Sequence, residues 1–169
     1  HFALPTVKNE PLLDYSPGSP ARESLKAELK RQSEITLDIP VIIGGKDIST
    51  GNLKTVVMPH NLRHVLARVH QAGEKELKLA IDAALEAKKS WAAMPYAHRQ
   101  GIYLKAAELL SGPWRDIINA ATMLGQSKTV YQAEIDSACE LCDFLRFNVA
   151  YADEIYKIQP DSAKGVWNR

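Results

Sequence analysis

The sequence predicts an α/β fold: an extended arm, a few β-strands and a block of four helices. Residues 1–19 are rich in proline and serine (Pro5, Pro11, Pro17, Ser16, Ser19), which suits an extended arm draped on another body. Between Ile39 and His70, short apolar runs are broken by glycine, the pattern of strands and turns. From Glu74 to Ile155, apolar residues recur at helical spacing almost without interruption.

Each element has its own local cause. Ser19-Pro20 reads as an N-cap followed by proline at the first helical position, opening a helix to about Ser33 with Leu25 and Leu29 on its apolar stripe. Ile39–Ile43, then Gly44-Gly45, then Lys46–Ile48 predicts a hairpin whose turn needs positive φ. Lys54–Met58 and Arg63–His70 follow as strands. The first helix of the block, from Glu74 to about Trp91, places Leu77, Ile81, Ala84, Leu85, Lys88 and Trp91 on one stripe. Pro95 starts the second, with Ile102, Ala106, Leu109 and Leu110 inward. Gly112-Pro113 ends that helix and begins a third, with Trp114, Ile117, Ile118, Ala121 and Leu124 inward as far as Gly125. Ser127 is expected to cap a fourth, running from Lys128 to about Tyr156 and roughly 40 Å long.

The resulting division is residues 1–38 for the arm and first helix, 39–72 for the β segments and 73–169 for the helical layer. The closing Gly165–Arg169 segment reads as β-prone with no partner strand, and the chain opens on His1 with its first methionine at Met58. Both ends are therefore expected to be cut.

Composition excludes several classes. Lysine and arginine number 21 against 20 acidic residues, so nothing draws the chain to nucleic acid or an anionic membrane. No apolar run approaches the roughly 18 residues of a membrane span. Cys139 and Cys142 are too few for a disulfide framework, which favours a reducing compartment.

The motifs that imitate chemistry fail on context. His60 and His64 have the spacing of a zinc helix, but the glutamate of that motif is missing and the pattern around them is β. Cys139 and Cys142 form a C-x-x-C in mid-helix without a second pair. Gly125–Thr129 has serine where a phosphate loop needs glycine before lysine. No residue is assigned as catalytic, cofactor-binding or metal-binding. Glu134 stands out: on a helical wheel it falls between Val130, Leu141 and Leu145, with Asn148 on the same stripe. A carboxylate there marks either an ion pair, with a lysine or arginine supplied from sequence outside the chain, or a site-lining role.

Trp91, Pro95, Arg99, the Ile102–Leu110 run and the Gly125–Lys128 corner resemble the N-terminal region of the aldehyde dehydrogenase superfamily. Further phrases carry the resemblance: Asn9-Glu10-Pro11, Gly18-Ser19-Pro20, Leu104–Ala107, Leu110–Pro113, Gly125–Val130, Gln132–Asp136 and Asp143–Asn148. They are most similar to the 1-pyrroline-5-carboxylate dehydrogenase (L-glutamate γ-semialdehyde dehydrogenase) branch. The resemblance covers essentially the whole chain, as the N-terminal part of an aldehyde dehydrogenase-like fold.

It implies an NAD-dependent enzyme of proline breakdown in the mitochondrial matrix, acting on a small aldehyde as a homodimer or higher homo-oligomer. The cysteine nucleophile, the general-base glutamate and the NAD-contacting segments would follow Arg169, leaving this chain inactive alone. The resemblance also implies that the β segments partly join an oligomerisation sheet, that the helices form the outer layer of the NAD-binding domain and pack on the remainder of the polypeptide, and that the arm contributes to a dimer surface. It carries over one site residue, Glu134, as substrate-binding. The alternative is a stand-alone helical interaction module, or a truncated product docking on full-length subunits.

Overall fold

The computed structural model describes residues 6–168; Pro5 of the predicted arm and Arg169 lie outside the described residues. After the arm comes α1 (Pro20–Ser33), opened by Ser19, whose hydroxyl accepts from the Arg22 N–H. Five strands follow: β1 (Leu37–Ile39), β2 (Val41–Ile43), β3 (Lys46–Ile48), β4 (Leu53–Met58) and β5 (Asn61–His70). The helical block comprises α2 (Glu74–Ala93), α3 (Tyr96–Ser111), α4 (Arg115–Gln126) and one long helix in three parts. Those parts are α5 (Val130–Ala133), a π-helical segment (Glu134–Cys139) and α6 (Glu140–Lys157).

The strands make two separate sheets. In the larger, β5 is central, parallel to β1 and antiparallel to β4, with an irregularity of register around Val57. The parallel β1 pairing was not legible in the sequence, because β1 and β2 read as one run interrupted only by Pro40. β2 and β3 form the predicted hairpin, with Gly44 and Gly45 at φ +57° and +74°. His70, at the end of β5, closes the sheet: its Nδ1 accepts from the Thr50 and Gly51 N–H groups at 3.0 and 3.1 Å, and its Nε2 lies 3.3 Å from Asp38.

The described core is built mostly of small residues: Ala67, Ala107, Ala120, Ala133 and Ala138, with Cys139, Cys142, Val149, Leu25 and Met58. Such side chains let backbones approach closely, and α3 rests on α6 where the Cys142 thiol donates to the Ala107 carbonyl at 3.6 Å. α1 is tied to α4 by Ser24–Asp116 and by the Gln32 amide on the Ile117 carbonyl.

Several expectations need correction. α2 is not among them: it carries the predicted stripe and leaves it open, with Leu77, Ile81 and Leu85 60%, 51% and 58% exposed, in keeping with helices expected to pack on further polypeptide. On α3 the buried residue is Ala107, while Ile102 and Leu109 are exposed. α4 is turned about its axis, so that Arg115, Asn119 and Ala120 face inward and Trp114 and Ala121 face out. Pro113 precedes α4 rather than opening it. Thr129, not Ser127, caps the long helix, its hydroxyl accepting from the Gln132 N–H; Ser127 closes α4 in the left-handed region at φ +57°. The stretch beyond α6 forms no strand among the described residues. It turns back on itself through the Val166 N–H on Ala163 and the Asn168 amide on Asp161, as an unpaired segment must to satisfy its backbone.

Candidate functional site: a buried ion lock around Glu134

The arm does not leave the body. Residues 9–15 run across α4, the π segment and α6, held by a series of hydrogen bonds. The Asn9 amide and the Glu10 N–H donate to the two oxygens of Asp143, each at 2.6 Å. The Leu13 N–H donates to Glu134 Oε1 at 2.8 Å and the Tyr15 hydroxyl to Glu134 Oε2 at 2.9 Å. Arg22, from the first turns of α1, holds the Tyr15 carbonyl at 3.1 Å.

Glu134 is at the centre and is 1% exposed. The Arg115 guanidinium meets it with two nitrogens, Nη2 on Oε1 and Nε on Oε2. Asn119 Nδ2 adds a further bond to Oε2 at 2.8 Å. Arg115 also reaches outward, to Glu10 at 2.6 Å and the Pro11 carbonyl at 2.7 Å, and its Nη2 lies 3.3 Å from Cys139 Sγ. Glu10 is shared between Arg115 and Arg146. Two guanidiniums thus meet the carboxylates of Glu10 and Glu134, with Asp143 taken up by the arm.

Electrostatics follow from this packing. Burial opposes the charge on Glu134, but the bonds from Arg115, Leu13, Tyr15 and Asn119 outweigh it and hold the carboxyl below its ordinary value. Burial likewise opposes the charge on Arg115, and the Glu134 and Glu10 carboxylates more than offset it, fixing the guanidinium as a cation. Tyr15 is raised by burial and by its bond to Glu134, so it stays a donor. Burial, with Glu134 nearby, pushes the Cys139 thiol up to about 11, and burial also raises Cys142. Arg115 lies against Cys139, but burial and the nearby carboxylates outweigh it, so neither thiol is held as a reactive thiolate.

Glu134 was singled out on the sequence for its buried carboxylate, and its counter-ion comes from within the chain, as Arg115, rather than from outside. The wheel placed Asn148 on the same stripe, and this is corrected: Asn148 is exposed, and the buried face continues through Ala138, Cys139, Cys142 and Val149. The π segment is the cause. The Glu140 N–H bonds to Ile135, five residues back, so one extra residue enters the helix and every later position on the wheel shifts by one. Sequence reasoning missed Arg115, Asn119, Tyr15, Glu10 and Arg146. An available signal was the i, i+4 pair of Arg115 and Asn119, two polar residues one turn apart beside the apolar stripe.

The histidines are not gathered. His60 lies in the β4–β5 turn with its Nδ1 2.7 Å from the Ser127 hydroxyl, and His64 is within β5. The described residues contain no cluster of three or more side chains placed to hold a metal ion. None of their helices is long and apolar enough to cross a membrane.

The chain belongs to one class of proteins: residues 48–168 match the aldehyde dehydrogenase family. Within that class, the chain is 47% identical over 170 residues to the probable delta-1-pyrroline-5-carboxylate dehydrogenase of Schizosaccharomyces pombe, covering 99% of this chain and 31% of the relative. It is 45% identical over 162 residues to the mitochondrial delta-1-pyrroline-5-carboxylate dehydrogenase of Homo sapiens, covering 96% of this chain and 29% of the relative. Among solved structures, the Mycobacterium tuberculosis delta-pyrroline-5-carboxylate dehydrogenase bound with NAD superposes with a TM-score of 0.97 at 47% identity, covering 100% of this chain and 32% of that one. The chain spans about a third of the length of the curated relatives it matches.

Proposed function

We propose that this chain forms the amino-terminal part of an NAD-dependent dehydrogenase that oxidises L-glutamate γ-semialdehyde, the open form of 1-pyrroline-5-carboxylate, to L-glutamate in proline breakdown. The observation that carries the reading is end-to-end similarity: 47% identity and a TM-score of 0.97 over the whole chain to a dehydrogenase of that name bound with NAD. Its relatives named mitochondrial support a place in the mitochondrial matrix. The open apolar faces of α2 and α3 support a role for them in packing against the remainder of the polypeptide, and the enzyme is proposed to work as a homo-oligomer.

The residues present do not by themselves fit NAD. A cavity of about 400 Å³ between Asn9 and Tyr151 is bordered by Glu140 and Asp143, whose charges repel a pyrophosphate. What these residues supply is a rigid wall. The lock fixes the long helix against α4, and Glu134 is proposed to serve aldehyde binding through that wall, because both its oxygens are engaged inside the protein. Its seat on a π segment supports the assignment, since such segments recur at functional sites.

The test is NADH formation from L-glutamate γ-semialdehyde. Activity is expected from the longer polypeptide and none from the 169-residue chain alone; turnover by the short chain, or none by the long one, overturns the reading. In the active enzyme, Glu134→Gln should change aldehyde KM or kcat more than NAD affinity. Unchanged aldehyde kinetics would reduce Glu134 to a structural residue.

A further inference from the structure

The π segment needs a cause. Six residues of π-helix interrupt a helix that is α on both sides, and π geometry is rare because it is the less favourable hydrogen-bonding arrangement. Its local effect is to put Glu134 and Cys139 on the same face. In an α-helix, residues five apart point roughly 140° away from each other; here both touch Arg115.

Arg115 is in turn held by the arm. Its remaining donors go to Glu10 and to the Pro11 carbonyl, and Pro11 also covers the Cys139 thiol at 3.8 Å. Glu134 takes two of its donors, the Leu13 N–H and the Tyr15 hydroxyl, from the same seven-residue stretch. Without the arm, Arg115 loses two acceptors and Glu134 two donors, all at buried or half-buried atoms. What then still holds the π segment is Arg115 and Asn119 on Glu134, with Ser137 on Thr122 and Lys128 on Asp136.

We infer that residues 9–15 are a strap that holds the π segment, with Glu10 as its positioning residue. Released from the strap, residues 134–139 relax into α-helix, Glu134 rotates by about one residue's turn (roughly 100°) away from Arg115, and Cys139 is uncovered. Glu10 acts through Arg115 and Arg146, which it bonds, rather than on Glu134 or Cys139 directly. The inference is independent of the proposed reaction and does not require it.

The two cysteines supply the test. Cys139 lies under the strap, whereas Cys142 is held beneath α3. In the longer polypeptide, labelling of Cys139 and of Cys142 by a water-soluble disulfide reagent is followed peptide by peptide, without denaturant. Glu10→Ala should speed Cys139 labelling at least tenfold and leave Cys142 within about twofold of its parent rate. Equal acceleration of both thiols would show general loosening, and an unchanged Cys139 rate would show that the strap holds nothing; either result overturns the inference. Should Glu10→Ala fail to fold, Tyr15→Phe removes a single strap bond from Glu134, and the same selective acceleration of Cys139 is expected at several-fold.

Discussion

The first helix of the block and the last carry similar apolar periodicity and use it in opposite ways. α2 repeats Leu77, Ile81 and Leu85 at ideal spacing and buries no residue at all. The long helix has a carboxylate and two cysteines among its innermost positions and buries Glu134, Ala138, Cys139, Cys142 and Val149. Inside this chain, order is set by a polar lock rather than by the most hydrophobic stripe. A molecule of this mass ordinarily exposes about 8,300 Å², whereas this chain exposes 12164 Å². The excess belongs in part to surfaces such as α2, while the lock is closed to water.

The largest effect that would break this comparison is expected at Arg115. Arg115→Ala leaves Glu134 buried without its cation and should cost about 3–5 kcal/mol of unfolding free energy, read from the urea midpoint. Arg115→Lys should recover only part, because one ammonium cannot bond Glu134 through a planar fork and reach Glu10 as well. A loss below about 1 kcal/mol for Arg115→Ala would mean that the lock is not what orders this half.

Glu134→Gln comes next, at roughly 2 kcal/mol for exchanging charged for neutral hydrogen bonds. It should also alter the pH profile. The folded carboxyl lies below its ordinary value of 4.5, so its contribution is fully present above about pH 4.5 and lost as pH falls through the lower folded value. The variant should lack that acid-side loss; an identical acid slope would remove Glu134 from the account. Gly44→Ala sharpens the comparison from outside the lock. At φ +57° a side chain is strained, and the new Cβ would sit 3.6 Å from Ala83, so about 1 kcal/mol should be lost through backbone strain with little steric cost. The smallest effects belong to α2. Leu77→Gln and Leu85→Gln should each stay within about 0.5 kcal/mol, as for other exposed positions, and a larger loss would show that the stripe is packed after all.

The elements were largely legible in the sequence because their signals are local. Ser19-Pro20, Gly44-Gly45 and the 3.6-residue spacing act over a few residues and need no partner. Facing was less legible. A helical wheel assumes an unbroken α-helix, and the π segment shifted every position after Glu134, which is why Asn148 was read as inward. α4 was read with Ile117 and Ile118 leading inward, whereas Glu134 required Arg115 and Asn119 on that side. The site was half legible: a carboxylate on an apolar stripe announces a partner, but no spacing in the sequence says that the partner lies 19 residues earlier or that the arm closes over both. β1 was hidden for a similar reason, since parallel pairing with β5 is a long-range contact with no local signature.

The contrast between the two helices is tested most directly by amide hydrogen exchange resolved along the full chain. The slowest amides are expected in α4 and in residues 134–149, with α2 exchanging through local opening well before them. Protection of α2 equal to that of α4 and the π segment would contradict it.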